Sequence, residues 1–186
     1  SLLAVGDVKA ARGVLSPFWR TRKLDARDEA AILAEFGKVI PAADHRIRME
    51  RMLYQDRVSS AERVAGLAGA KELAAAWGAV TRGDARAGKL LDAVPAAQRG
   101  TGYAFARIRH LRRAQKYEAA AALMLRAPRE AAALVDPDEW WHERRALSRE
   151  LLDLGDGKTA YRLAAAHAAE SRTMAADAEF HAGWYA

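Results

Sequence analysis

The residue types best able to do chemistry are concentrated in residues 138–168, DEWWHERRALSRELLDLGDGKTAYRLAAAHA. Adjacent indoles such as Trp140 and Trp141 could stack on the pyranose rings of a sugar. On a helix, however, Trp140 shares one face with Leu147 and Leu151, and such a face normally packs into a core. We therefore expect both tryptophans to close a helix hairpin, with a sugar-stacking platform as the alternative.

Arg144 projects onto the middle of the same face, among tryptophan and leucine. An unpaired buried guanidinium is costly, so such a residue needs a carboxylate or carbonyl partner. Asp156 and Glu179 are the candidate partners. The spacing predicts a structural ion pair between neighbouring helices rather than a ligand contact.

The histidines do not have the spacing of a metal site. His167 projects onto an inward face and is expected to be a core histidine with its polar atoms satisfied. Together with His142 and His181 it forms no His-x-x-x-His pattern, and the chain has no cysteine. Gly-x-Ser-x-Gly turns and glycine-rich phosphate loops are also missing from the sequence. We expect no metal and no other cofactor.

A second candidate site is the basic stripe within residues 103–116. On a helix its cations lie in a narrow arc, opposite Ala104, Ile108 and Leu111. The stripe is either a solvated helix face or a contact surface for a polymer that bears carboxylates or phosphates. The candidate contact residues are Phe105, Arg109, Arg112 and Arg113, with Trp140 and Trp141 as a second choice.

Helices must position these residues, because alanine, leucine, arginine, glutamate and lysine dominate almost every segment. Gly-Asp recurs between helical patterns at Gly6-Asp7, Gly83-Asp84 and Gly155-Asp156. Glycine can end a helix in the left-handed conformation, and aspartate can cap the next helix. The spacings are about twice the roughly 34 residues of a tetratricopeptide-type helix pair. The sequence therefore predicts an all-α solenoid, or superhelix, of short antiparallel helix pairs.

Charge and length exclude some classes of protein. The 186 residues carry 30 lysines and arginines against 24 acidic residues, a net charge of +6. These charges are spread over most helices, which indicates a mixed-charge surface rather than a specific nucleic-acid site. No uncharged run approaches the roughly 18 residues of a membrane span, so no membrane insertion is expected. Both ends look cut within helical patterns, so we interpret residues 1–186 as one segment of a longer polypeptide.

Several stretches resemble the helical region of soluble lytic murein transglycosylases of the alphaproteobacterial type. The resemblance begins near Trp19 and is most specific between Trp140 and Trp184; residues 1–18 are too generic to place. The stretches that carry it are WWHERRALSRELLDLGDGKTAYRLAAAHAAES, AEFHAGWYA, EFGKVIPAADHRIRMERMLYQDR, LLDAVPA and GYAFARIRHLRRAQKYEAAAALML.

The resemblance implies a periplasmic superhelix that supports a C-terminal lysozyme-like domain, which cleaves peptidoglycan through one catalytic glutamate. That glutamate lies in a Glu-Ser context followed by Gly-Leu-Met-Gln. Glu170-Ser171 matches only superficially, because no Gly-Leu-Met-Gln follows. We therefore expect this segment not to be an enzyme by itself, and its structural residues to include Arg144, Asp156, His167, Glu179 and Trp184.

The expected function is thus a scaffold whose partners are its own catalytic domain and, through a basic face, peptidoglycan. A tetratricopeptide-like adaptor for a protein partner is the alternative. The complete lack of asparagine weakens that alternative, because asparagine ladders would favour peptide binding. A nucleic-acid-binding protein is a third reading that depends on net charge alone.

Overall fold

A computed structural model describes residues 8–186, and all of its regular elements are helices. The Gly6-Asp7 turn predicted from the sequence lies outside the described residues. Two 3-10 helices cover Ala96–Gln98 and Ala131–Ala133. The α-helices are α1 (Val8–Thr21), α2 (Ala26–Phe36), α3 (Ala42–Tyr54), α4 (Val58–Ala65), α5 (Lys71–Arg82), α6 (Ala87–Ala93), α7 (Thr101–Arg113), α8 (Tyr117–Met124), α9 (Pro137–Asp153), α10 (Gly157–Ala164) and α11 (Arg172–Tyr185).

Neighbouring helices pack as hairpins that stack into a superhelix. The hairpins are α3 with α4, α5 with α6, α7 with α8, and α9 with α10. The first helices of successive hairpins also contact one another, from α3 through α5 and α7 to α9, and α11 packs on α9 and α10. Hairpins begin at Ala42, Lys71, Thr101 and Pro137. These intervals are close to the roughly 34 residues of a tetratricopeptide-type pair, so the predicted all-α solenoid is confirmed.

A residue in the left-handed conformation forms the turn inside each of these hairpins. The four residues are Asp56 (φ 55°), Gly83 (φ 69°), Gln115 (φ 57°) and Gly155 (φ 84°). At each turn the next backbone N–H donates to a carbonyl five residues earlier, as from Asp84 to Ala79 and from Asp156 to Leu151, both at 2.9 Å. Gly-Asp thus marks every second turn, which explains why its spacing is about twice one helix pair.

The two described Gly-Asp aspartates act differently. Asp156 caps α10 by accepting a hydrogen bond from the Thr159 backbone N–H at 3.0 Å, as predicted. Asp84 instead accepts from the Arg86 backbone N–H at 2.8 Å, before α6 begins. At the start of α9 the cap is Asp136, which accepts from the Glu139 backbone N–H at 3.2 Å. Asp138 binds the backbone of the loop before α11, where it accepts from Glu170 at 2.9 Å.

A continuous hydrophobic core runs from Trp19 to Leu163. At its centre Tyr54 lies edge-on to Trp77, with ring centroids 4.8 Å apart, and Phe105 packs on Tyr54 and on Trp140. A smaller cluster of buried residues forms around Trp141 under α11. No helix in residues 8–186 is both long enough and apolar enough to cross a membrane.

The turns provide a test of the fold. Gln115→Gly should raise the free energy of unfolding by about 0.5 kcal/mol, because glycine adopts positive φ without the strain of a side chain. Gly155→Ala should lower it by about 1 kcal/mol; its Cβ would meet open space, so only backbone strain changes. Chemical denaturation of both variants measures the difference. Equal effects in the two variants would contradict the assignment of these turns.

Candidate functional site

The predicted basic stripe on α7 is buried at Phe105 and Arg109 and exposed at Arg113, which corrects the expectation of a face exposed along its whole length. Phe105 is fully buried and Arg109 is 7% exposed. Helical projection placed these side chains on one side of α7 but gave no information on which other helices cover that side. The arc faces α9 and the turn after α3, so two of its expected contact residues lie inside the protein.

Glu143 of α9 is the centre of the ionic network that holds this stripe. Its carboxylate is 3% exposed. Oε1 accepts from Arg112 Nε at 2.5 Å, and Oε2 accepts from Arg109 Nε at 3.3 Å. Arg109 also donates to Asp56 Oδ1 at 3.1 Å, and its guanidinium lies 4.7 Å from the Phe105 ring centroid. This arginine–aromatic contact forms inside the network rather than on a ligand surface.

The structure places Arg113 differently from Arg109. Its side chain is exposed, and Nη1 donates to the Val80 carbonyl at 2.6 Å. Arg112 is half-buried, and its guanidinium is occupied by Glu143. Of the contact residues predicted on α7, Arg113 is thus the one that a polymer could reach without disrupting the network.

Charge reversal separates these roles. Arg109→Glu should lower the free energy of unfolding by about 3–5 kcal/mol, because it places a third carboxylate beside Glu143 and Asp56. Arg113→Glu should cost about 1 kcal/mol or less, since it loses one hydrogen bond at the surface. Urea denaturation of the two variants checks this. Similar stability would show that Arg109 is not a structural residue.

Trp140 and Trp141 both belong to the core, as the helical projection indicates. Trp140 Nε1 donates to the Tyr54 hydroxyl at 2.9 Å, and Trp141 Nε1 donates to Asp177 Oδ2 at 2.8 Å. Both indoles are buried. Neither ring presents a face on which a sugar could stack, so the alternative sugar platform has no geometric basis at these two residues.

Arg144 does not form the ion pair predicted for it. The residue is 1% exposed, and neither terminal guanidinium nitrogen has a hydrogen-bond partner among the described residues. Burial, with a smaller effect from the nearby Arg129, lowers the pKa of Arg144 to about 10. The two proposed partners act elsewhere: Asp156 caps α10, and Glu179 accepts from His167 Nε2 at 3.0 Å. Sequence spacing alone gave no way to see these competing partners.

Two other residues expected to be structural are less enclosed than predicted. His167 is half-buried, with its ring edge against Trp141 and its Nδ1 accepting from the Ala169 backbone N–H at 3.3 Å. Trp184 is 61% exposed, although its ring contacts His181 and Tyr185. His167 therefore contributes to packing under α11, whereas most of the Trp184 indole faces solvent.

Arg144 also provides a stability test. Arg144→Met should raise the free energy of unfolding by about 1–3 kcal/mol, because it removes an uncompensated buried charge while keeping the volume of the side chain. Arg48→Met should lower it by about 3 kcal/mol, since Arg48 is equally buried but donates to Glu29 and to two carbonyls. Thermal unfolding at neutral pH compares the pair. Destabilisation by Arg144→Met would indicate a partner for its guanidinium in solution.

A cationic cleft between the end of α1 and α3 was missed in the sequence. Its walls bring together residues separated by more than thirty positions, and none of its lining residues is acidic. The charge run Arg-Thr-Arg-Lys at 20–23 was the available signal. The cations that line the cleft are Arg20, Arg22, Lys23, Arg48, Arg51 and Arg57. Chemically, this surface can bind anions.

Comparison of the chain with protein-family models, with curated protein sequences and with solved structures found no match. Functional inference therefore depends on the residues themselves, on the geometry described above and on the resemblance of the quoted stretches.

Proposed function

We propose that this chain is the helical scaffold region of a periplasmic peptidoglycan lytic transglycosylase, which supports the catalytic domain and guides glycan strands. One observation carries the proposal. In the stretches that resemble that family, the residues most able to do chemistry are used to hold successive helix hairpins together: Glu143 binds Arg109 and Arg112, and Trp140 binds Tyr54. In this proposal the cleavage chemistry belongs to a lysozyme-like domain and not to these residues.

A stacked array of hairpins suits a supporting role. Each hairpin contacts the next through its first helix, so the surface is extended and its shape is fixed by repeated packing. Peptidoglycan carries many free carboxylates, and a chain with a net charge of +6 attracts such a polymer at long range. With Arg109 and Arg112 neutralised internally, that attraction comes from cations on other surfaces.

A tetratricopeptide-like adaptor is the second candidate. The observation that favours it is a pair of exposed aromatic side chains on α11, where Phe180 is 68% exposed and Trp184 is 61% exposed and both rings contact His181. Exposed aromatic side chains near one another are typical of protein contact sites. An adaptor would bind a protein partner through this surface and would not need an affinity for peptidoglycan.

Co-sedimentation of the purified chain with isolated murein sacculi tests the proposal. We expect saturable binding that weakens as salt is raised, because exposed charges are screened within about 8 Å at physiological ionic strength. Double-stranded DNA in parallel serves as a competitor with the same sign of charge. Binding that DNA removes completely would indicate a general affinity for polyanions, and no binding at physiological salt would contradict the strand-guiding role.

A further inference from the structure

We infer that the cationic cleft and the groove beside it bind the free carboxylates of a peptidoglycan peptide stem. The inference rests on the proposed function and deepens it, because it names the part of the polymer that is recognised. It also moves the contact surface from the α7 stripe, where Glu143 neutralises Arg109 and Arg112, to α1, α3 and the segment before α9.

Four cations of the cleft, Arg22, Lys23, Arg51 and Arg57, have no salt bridge to a carboxylate among the described residues. Arg22 and Lys23 are exposed, and Arg57 donates only to the Leu24 carbonyl, at 3.3 Å. The other cations of the cleft are engaged differently. Arg20 binds Asp44, and Arg48 binds Glu29 at 2.6 Å. The cleft encloses only about 10 Å³, so an anion would bind at its rim and in the adjoining groove rather than inside it. At that rim two neutralised arginines lie beside four cations that form no salt bridge in residues 8–186.

The adjoining groove has a volume of about 510 Å³ and shares Arg20, Thr21 and Arg51 with the cleft. Its apolar walls are Pro17, Ile47 and residues 132–135. Arg51 Nη2 donates to the Val135 carbonyl at 3.0 Å, while its Nε is buried without a hydrogen-bond acceptor. Asp136 is near enough to interact electrostatically with Arg51. The groove therefore offers a small apolar surface next to concentrated positive charge.

This combination fits a short anionic peptide better than a nucleic acid. Small-ligand sites commonly measure about 300–1,000 Å³ and combine apolar walls with a few polar groups. A peptide stem carries small alanine side chains, which suit the walls, and free carboxylates, which suit guanidinium groups. A nucleic acid would need cations spaced along the path of its phosphate backbone, whereas the cations described here converge on one cleft.

Isothermal titration with a purified disaccharide-tetrapeptide muropeptide tests the inference. The test variant is Arg22→Glu with Lys23→Glu, since both side chains are exposed and make no ion pair in residues 8–186. The control is Lys89→Glu with Arg126→Glu, which changes the net charge equally on α6 and in the segment after α8. We expect the test variant to weaken binding by about tenfold or more and the control by about twofold or less.

The matched ligand control is the same muropeptide with its carboxylates amidated. The unmodified chain should bind this amidated ligand about as weakly as the test variant binds the unmodified muropeptide. Equal binding of the amidated ligand, or of the test and control variants, would overturn the inference. So would complete competition by double-stranded DNA. If the unmodified chain binds sacculi while both variants bind equally, the inference fails and the proposed function stands. If the unmodified chain binds no sacculi, the inference and the strand-guiding role both fail.

Discussion

The stacking of this protein depends on buried carboxylates that are each held by two guanidinium groups. Glu143 of α9 is bound by Arg109 and Arg112 of α7. Glu29 of α2 is bound by Arg48 of α3 at 2.6 Å and by Arg63 of α4 at 2.8 Å. Burial of a charge is expensive, and it is tolerated here because each carboxylate has several donors in fixed positions. The clamp at Glu143 joins the α7–α8 hairpin to the α9–α10 hairpin, and the clamp at Glu29 fastens α2 to both helices of the α3–α4 hairpin.

The turns impose a second constraint on the same array. Each hairpin needs one residue with positive φ, and glycine supplies it at Gly83 and Gly155. Asp56 occupies the position at the cost of strain, but its carboxylate reaches Arg109 and joins the ionic network. A turn residue thus also helps to connect α3 with α7. The local choice of turn residue and the packing of distant helices are linked through this contact.

Much of the fold could be predicted from the sequence, and less of the site. Helix-forming composition and recurrent Gly-Asp turns were enough for an all-α solenoid, because both signals are local. Helical projection grouped Arg109 with Arg112, and both bind Glu143 in the structure. The burial of Arg109 was not predictable, since helical periodicity does not show how many neighbours cover a face. The ion pair predicted for Arg144 was wrong and the cationic cleft was missed for the same reason. Both features depend on which distant residues the stacking of the hairpins brings together.

For function, the important distinction is between charges that the stacking uses and charges that it leaves free. The arginines of α7 looked like a binding stripe because their types and spacing suit a polymer contact. In the structure Arg109 and Arg112 hold α9, whereas Arg22 and Lys23 remain exposed on the surface. A scaffold that contacts peptidoglycan would therefore use separate arginines for cohesion and for recognition.

A double-mutant cycle between Arg109 and Glu143 tests this account most directly. The free energy of unfolding is measured for Arg109→Met, Glu143→Leu and the double variant. Arg112 still binds Glu143 when Arg109 is replaced, and Asp56 still binds Arg109 when Glu143 is replaced. If the pair is part of a buried clamp, the double variant should therefore cost less stability than the sum of the two single changes, with a coupling of at least about 1 kcal/mol. A coupling near zero would show that the network does not hold the helix pairs together and would contradict the account.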